Sequence, residues 1–155
     1  MKKLLLLILS ICLLTGCETK KKTSPEEYYF TYNGSDIKLN TLFSNTYSII
    51  GNYNFDRLED SYYYEYKSNV YEYDDFEIET YYDNDIEKIA AITLTSENIQ
   101  TTESLRIYDS KEKMINIYGK NYQLQGNTYI YKLANTNLSF TIENDIIISI
   151  RYYIE

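Results

Sequence analysis

At 155 residues the chain is long enough for one compact domain, and with 44% apolar residues it is not a disordered one. It carries 15 basic and 23 acidic residues, a formal net charge of -8, 20 Tyr, five Gly, one Pro and no His. The missing imidazole excludes Ser-His-Asp and Cys-His relays and His-ligated zinc, and three Arg on an acidic chain give no basic face for nucleic acid.

The N-terminus opens with Lys2 and Lys3, followed by eleven residues from Leu4 to Leu14 broken only by Ser10 and Cys12. A membrane-spanning helix needs about 20 apolar residues, so this run has the length of a signal-peptide core. It closes with Leu14-Thr15-Gly16-Cys17, an apolar residue, two small ones and Cys. That ending resembles the bacterial lipobox. The resemblance implies a diacylglyceryl group on the Cys17 sulfur, cleavage before Cys17, and a mature protein held on the extracytoplasmic face of the cell membrane. Two acyl chains, at about 0.8 kcal/mol per buried CH₂, make such an anchor stable. Residues 1–16 then form the signal peptide and residues 17–27 a tether. The only other cysteine, Cys12, leaves with the signal, so no disulfide is expected in the mature domain. Lys20, Lys21 and Lys22 read either as a contact with anionic headgroups or as a solubilising spacer. Pro25 cannot join a central ladder, which places the start of order after it.

The mature domain, residues 28–155, begins with a hairpin. Tyr28 to Tyr32 and Ser35 to Leu39 flank Asn33-Gly34, the pair that accepts the two positive φ angles of a type I′ turn. A helix is predicted from Thr41 to Ile50, with Thr41 as its cap and Gly51 as its stop. Strands are predicted over Tyr62 to Tyr66, Val70 to Tyr73, Phe76 to Tyr82 and Ile86 to Thr95. A second helix opens at Asp109-Ser110-Lys111-Glu112 and stops at Gly119. Three more strands follow, Thr128 to Leu133, Asn137 to Glu143 and Asp145 to Ile154. In the last, Ile146, Ile148, Ile150, Tyr152 and Ile154 are assigned to one face, which Ile147 interrupts.

Two halves, about 28–96 and 105–155, can be laid over each other. Ile49-Ile50-Gly51 matches Ile117-Tyr118-Gly119, and Asn84-Asp85-Ile86 matches Asn144-Asp145-Ile146. The expected fold class is α+β: two helix-plus-antiparallel-strand repeats forming one curved sheet, with short helices on one face. The stretch from Thr102 to Gly119, T-E-S-L-R-I-Y-D-S-K-E-K-M-I-N-I-Y-G, resembles a pattern in small uncharacterised lipoproteins of Gram-positive gut bacteria. In that pattern glycines stand where this chain has Ser104 and Tyr108. The helix-plus-strand arrangement is similar to the tandem architecture of β-lactamase-inhibitor-like proteins. The resemblance implies a fold and an envelope location but no activity.

The acidic runs Asp74-Asp75, Glu77, Glu79, and Asp83-Asn84-Asp85 with Glu87 lack the spacing of a calcium loop. They read as solvated turns and a wet sheet face, and no metal or cofactor is implied. Tyr62, Tyr64, Tyr66, Tyr71 and Tyr73 are candidates for a contact face, since Tyr offers a flat apolar ring with a hydroxyl tip. Core packing in a sheet explains the same tyrosines. The expected function is therefore a lipid-anchored, non-catalytic binding or scaffolding module for an envelope protein or glycan. Two rivals stand beside it. One is an envelope glycan hydrolase using Glu77 and Glu79, about 7 Å apart on a strand face. The other, suggested by the fold resemblance alone, is an inhibitor of an envelope enzyme.

Overall fold

The computed structural model describes residues 26–60 and 67–155. The leader, Cys17, Lys20 to Lys22, Pro25 and the run from Tyr62 to Tyr66 lie outside the described residues. Among the described residues the chain forms two sheets and two helices. The small sheet is a hairpin of β1 (Tyr29–Tyr32) and β2 (Ser35–Lys38), turned by Asn33 and Gly34 at φ 48° and 77°. The large sheet contains β3 (Phe55–Asp60), β4 (Lys67–Glu72), β5 (Phe76–Asp83), β6 (Ile86–Leu94), β7 (Gln123–Gln125), β8 (Thr128–Leu133), β9 (Thr136–Glu143) and β10 (Ile146–Ile154). Its order is β3-β4-β5-β6-β10-β9-β8-β7, antiparallel throughout. The helices are α1 (Phe43–Ile50) and α2 (Lys111–Tyr118). Neither is long and apolar enough to cross a membrane.

The expected α+β class is corrected by this composition. Strands hold 52% of the described residues and helices 13%, so this part of the chain is mostly β and is not a chain of helix-strand repeats. The physical reason lies in the lengths. Each helix has eight residues, about two turns, too few to make a layer or to stand without tertiary support. Meanwhile Phe55–Asp60 and Gln123–Gln125, which the alternation rule missed, extend the sheet at both edges.

The two central strands, β6 and β10, pair over a short register: Ile150 with Leu94 through Tyr153 with Ala91. Each also carries a bulge. Opposite β5 the register shifts between Glu79/Ala91 and Thr80/Ile89, leaving Ala90 as the extra residue. Opposite β9 it shifts between Ile147/Ile142 and Ser149/Thr141, leaving Ile148 extra. A bulge turns the following side chains to the other face and sharpens the local twist. That overturns the face assigned to β10 from alternation: Ile147 is 0% exposed, whereas Ile148 is 40% exposed.

Where β6 and β10 diverge, each offers an open backbone edge, and the segment before a helix fills it. On β6, Asn40 N–H donates to the Ile89 carbonyl at 2.8 Å and Ile89 N–H to the Thr41 carbonyl at 3.0 Å. On β10, Tyr108 N–H donates to the Ile147 carbonyl at 2.8 Å and Ile147 N–H to the Asp109 carbonyl at 2.9 Å. Helix capping follows different rules at the two sites. Ser110 caps α2, its Oγ accepting from Lys113 N–H at 3.1 Å, while Asp109 holds Arg106 N–H and the Lys113 ammonium. Leu42 starts α1 without a side-chain cap, and Thr41, the expected cap, donates its hydroxyl to the Lys38 carbonyl instead.

One face of the sheet is closed by the hairpin and both helices. Phe30 of β1 enters between Phe76 and Tyr152, with ring centroids 5.3 and 6.2 Å away. Phe43 of α1 and Met114 of α2 join the same buried cluster. The opposite face alternates into polar residues, as the period-two pattern of β5 requires: Phe76, Ile78 and Thr80 are buried, and Glu77 and Glu79 point the other way.

Ser104 and Tyr108, the positions where the resembled pattern has glycine, hold φ values of 67° and 72°. A side chain in that region costs about 1–2 kcal/mol that glycine avoids. Tyr108→Gly, at an exposed ring, is therefore expected to raise stability by about 0.5–1 kcal/mol in urea denaturation, whereas Tyr108→Ala brings no such gain. Buried tyrosines supply a second expectation. Burial pushes Tyr73 and Tyr131 up to about 12, and it raises Tyr71, Tyr118 and Tyr152 as well. A raised folded-state value means that the native chain keeps protons the unfolded chain releases above about pH 10. Stability should hold below pH 10 and fall between about pH 10 and 12, by about 1.4 kcal/mol per pH unit for each tyrosine kept protonated. Chemical denaturation followed by circular dichroism across that range measures the slope.

Candidate functional site

A cleft of about 540 Å³ lies between α1, β4 and the turn joining β5 to β6. Four aromatic residues line it, brought together from three places: Phe43 and Tyr47 on α1, Tyr53 just beyond it, and Tyr71 on β4. Phe43 and Tyr47 are four apart, so the helix presents both to the same side. Gly51, at φ 84°, ends the helix and sends the chain back, which positions Tyr53.

These rings form a closed circuit. Phe43 stacks on Tyr71 at 4.2 Å and 16°, Tyr71 meets Tyr53 at 4.8 Å, Tyr53 meets Tyr47 at 6.1 Å, and Tyr47 returns to Phe43 at 6.2 Å. The tilted contacts match the preference of aromatic quadrupoles for edge-to-face and offset arrangements. Tyr47 donates its hydroxyl to Asn52 Oδ1 at 2.6 Å, which fixes its tip.

Two carboxylates complete the cleft, Asp85 and Glu87. Glu87 Oε1 accepts from the Tyr71 hydroxyl at 2.8 Å, from Thr80 Oγ1 at 2.7 Å and from Asn69 Nδ2 at 3.1 Å. Burial, together with this hydrogen bond and the Glu87 charge, raises the Tyr71 hydroxyl well above the ordinary tyrosine range, so it is a donor at neutral pH. Asp85 stands in the turn itself, where Asn84 and Asp85 adopt φ 49° and 64°. The rim is apolar and open: Leu42 is 40% exposed, Tyr47 37% and Ile86 47%.

Of the tyrosines marked in the sequence, Tyr71 lies in this cleft, packed against Phe43. Tyr73 is elsewhere. Its ring stacks on Phe76 at 4.8 Å and 14°, and its buried hydroxyl has no hydrogen-bond partner among the described residues. Tyr62, Tyr64 and Tyr66 lie outside the described residues. Phe43 and Tyr47 were missed as site residues because helical spacing marks them as core, and Tyr53 because it stands in the link beyond Gly51; nothing local shows that their outer edges stay open.

The acid pair Glu77 and Glu79 lies on the other face of the sheet and is occupied by guanidinium groups. Arg57 reaches Glu77 Oε2 at 3.2 Å and also pairs with Glu59 and Glu72. Arg151 pairs with Glu79 and holds Thr93 Oγ1 at 3.0 Å. A polar depression of about 620 Å³ lies beside the second pair, with lining from β3 at one edge of the sheet and β7 at the other, so the sheet curls until both edges border one hollow. The remaining acids serve turns and ion pairs. Asp83 binds the Lys88 ammonium at 2.7 Å, Asp74 accepts from Asn54, and Asp75 accepts from Asn98. Among the described residues no three His, Cys, Asp or Glu side chains gather closely enough to hold a metal ion.

No protein-family model matches the chain, and a search of curated proteins finds no match. Among solved structures it is similar in fold to a cysteine-rich secretory protein from Staphylococcus aureus subsp. aureus Mu50, with a TM-score of 0.54 and 12% sequence identity. The likeness covers 76% of this chain and 43% of that one, so this chain spans less than half the length of its structural neighbour. At that identity the similarity speaks for the fold alone.

Proposed function

We propose that this protein is an exported lipoprotein, anchored through Cys17 on the extracytoplasmic face of the cell membrane, and that its domain is a non-catalytic binding or scaffolding module for an envelope protein or glycan. The anchor rests on the leader's basic start, short apolar core and Leu14-Thr15-Gly16-Cys17 ending. The module reading rests on one observation, the aromatic cleft with its apolar rim. Concave sites lined by aromatic rings and a few fixed polar groups are the usual form of a recognition surface. Arrangements that favour turnover are less in view, because the acids a glycosidase would use are engaged by Arg57 and Arg151 and sit side by side on one strand.

Two measurements test the two halves of this reading. Metabolic labelling with radioactive palmitate should mark the wild-type chain in its own cells, while Cys17→Ala abolishes the label and leaves an unprocessed precursor. Label on the variant overturns the anchor. For the module, Tyr47→Ala combined with Tyr53→Ala should weaken capture of a cross-linked envelope partner about tenfold while the fold persists by circular dichroism. Unchanged capture would move the contact surface away from the cleft.

A further inference from the structure

We infer that the cleft recognises a lysine side chain presented by a partner polypeptide, the ammonium group settling against the rings of Tyr47 and Tyr53 and the carboxylates of Asp85 and Glu87. This deepens the module reading above and rests on it.

Charge complementarity selects the occupant. The cleft is lined by two acids and by no lysine or arginine among the described residues, so it carries uncompensated negative charge. The nearest cation along the strand, Lys88, belongs to Asp83 at 2.7 Å. Adjacent residues of a strand face opposite ways, so Lys88 cannot share the side of Glu87. An acid in a partly apolar concavity with no cation beside it favours a cationic guest over a neutral or anionic one.

The aromatic circuit points the same way. Rings attract a cation over their faces within about 6 Å, worth about 0.5–1 kcal/mol when exposed and about 2 when desolvated. Tyr47 and Tyr53 meet at 57° and so present faces from two directions, an arrangement suited to a compact, rounded ammonium. A planar guanidinium is better served by one parallel ring or a bidentate carboxylate. Glu87 is preorganised for the task. Three donors from Asn69, Tyr71 and Thr80 converge on Oε1, which fixes the carboxylate in place before a guest arrives. The apolar rim of Leu42 and Ile86 suits the four-carbon stem that a lysine carries behind its charge. A neutral sugar can donate hydroxyls to the carboxylates but leaves their charge uncompensated, so the cationic guest is the better fit.

The test uses the full-length chain in detergent micelles with isotope-labelled tyrosine rings, titrated by nuclear magnetic resonance. Three probes are compared: acetyl-Gly-Lys-Gly-amide, its norleucine analogue, and the trimer of N-acetylglucosamine. The lysine peptide should shift the Tyr47, Tyr53 and Tyr71 resonances saturably, and the norleucine peptide should bind about tenfold more weakly. Glu87→Gln keeps an oxygen acceptor for the three donors, and Asp85→Asn keeps a residue type that tolerates its positive φ. Each variant should weaken the lysine peptide several-fold, and salt should weaken it further while sparing the norleucine analogue. Equal binding of the two peptides overturns cation recognition and leaves the cleft a protein contact. Shifts with the sugar trimer alone overturn the lysine assignment in favour of a glycan. No shift with any probe overturns both this inference and the cleft as the module's contact site.

Discussion

The structure depends on how little the two central strands pair with each other. Strands β6 and β10 share a register from Ile150/Leu94 to Tyr153/Ala91, and beyond it they part. Unpaired strand edges inside a molecule leave backbone N–H and C=O groups that must be satisfied. The residues before each helix satisfy them, through Ile89 on β6 and Ile147 on β10. Two helices that are too short to be stable by themselves are thereby held by the sheet's own ladder chemistry. The bulges at Ala90 and Ile148 belong to the same solution, since an extra residue lets each strand bend away from its neighbour.

The cleft is a by-product of that docking. Because the segment ahead of α1 pairs with β6 at Ile89, the first turn of the helix lies over the strand that carries Glu87, next to the turn that holds Asp85. Phe43 is then pressed against Tyr71, and its successor on the same side of the helix, Tyr47, is left half out in solvent. Fixing the helix start therefore fixes the distance between the aromatic wall and the acidic turn. Rigid elements of this kind place side chains more reliably than loops do, and here one pair of backbone bonds sets the start of α1 against the strand that carries Glu87.

Much of the local structure was legible in the sequence. Asn33-Gly34, Asn84-Asp85 and Asn144-Asp145 carry the chemistry of tight turns, and all six residues take positive φ. Gly51 and Gly119 mark the helix ends. The fold class was not legible, because Phe55–Asp60 reads as a charged loop with two stray apolar residues, and edge strands gain no core face to impose alternation. The face of β10 was misread at Ile148, since a bulge is set by what the neighbouring segment needs and leaves no signature in its own strand. The candidate site was half visible. Tyr71 stood out in a tyrosine-rich run, but the partnership of Tyr47, Tyr53 and Glu87 is a product of tertiary geometry that sequence spacing does not encode.

The hairpin of β1 and β2 has a mechanical consequence. It is a separate two-stranded sheet, held to the body chiefly by Phe30 and Ile37, and its outermost pair is Tyr29 with Lys38. Lys38 leads straight into the segment sewn to Ile89, whereas the chain ahead of Tyr29 is tied at Tyr28, whose N–H donates to Thr136 Oγ1 at 2.8 Å. Tension arriving from the N-terminal side would open the ladder from its free end, rung by rung, instead of loading every rung together. Once the Tyr28–Thr136 tie has parted, the plug formed by Phe30 is the latch that a pull must draw out next.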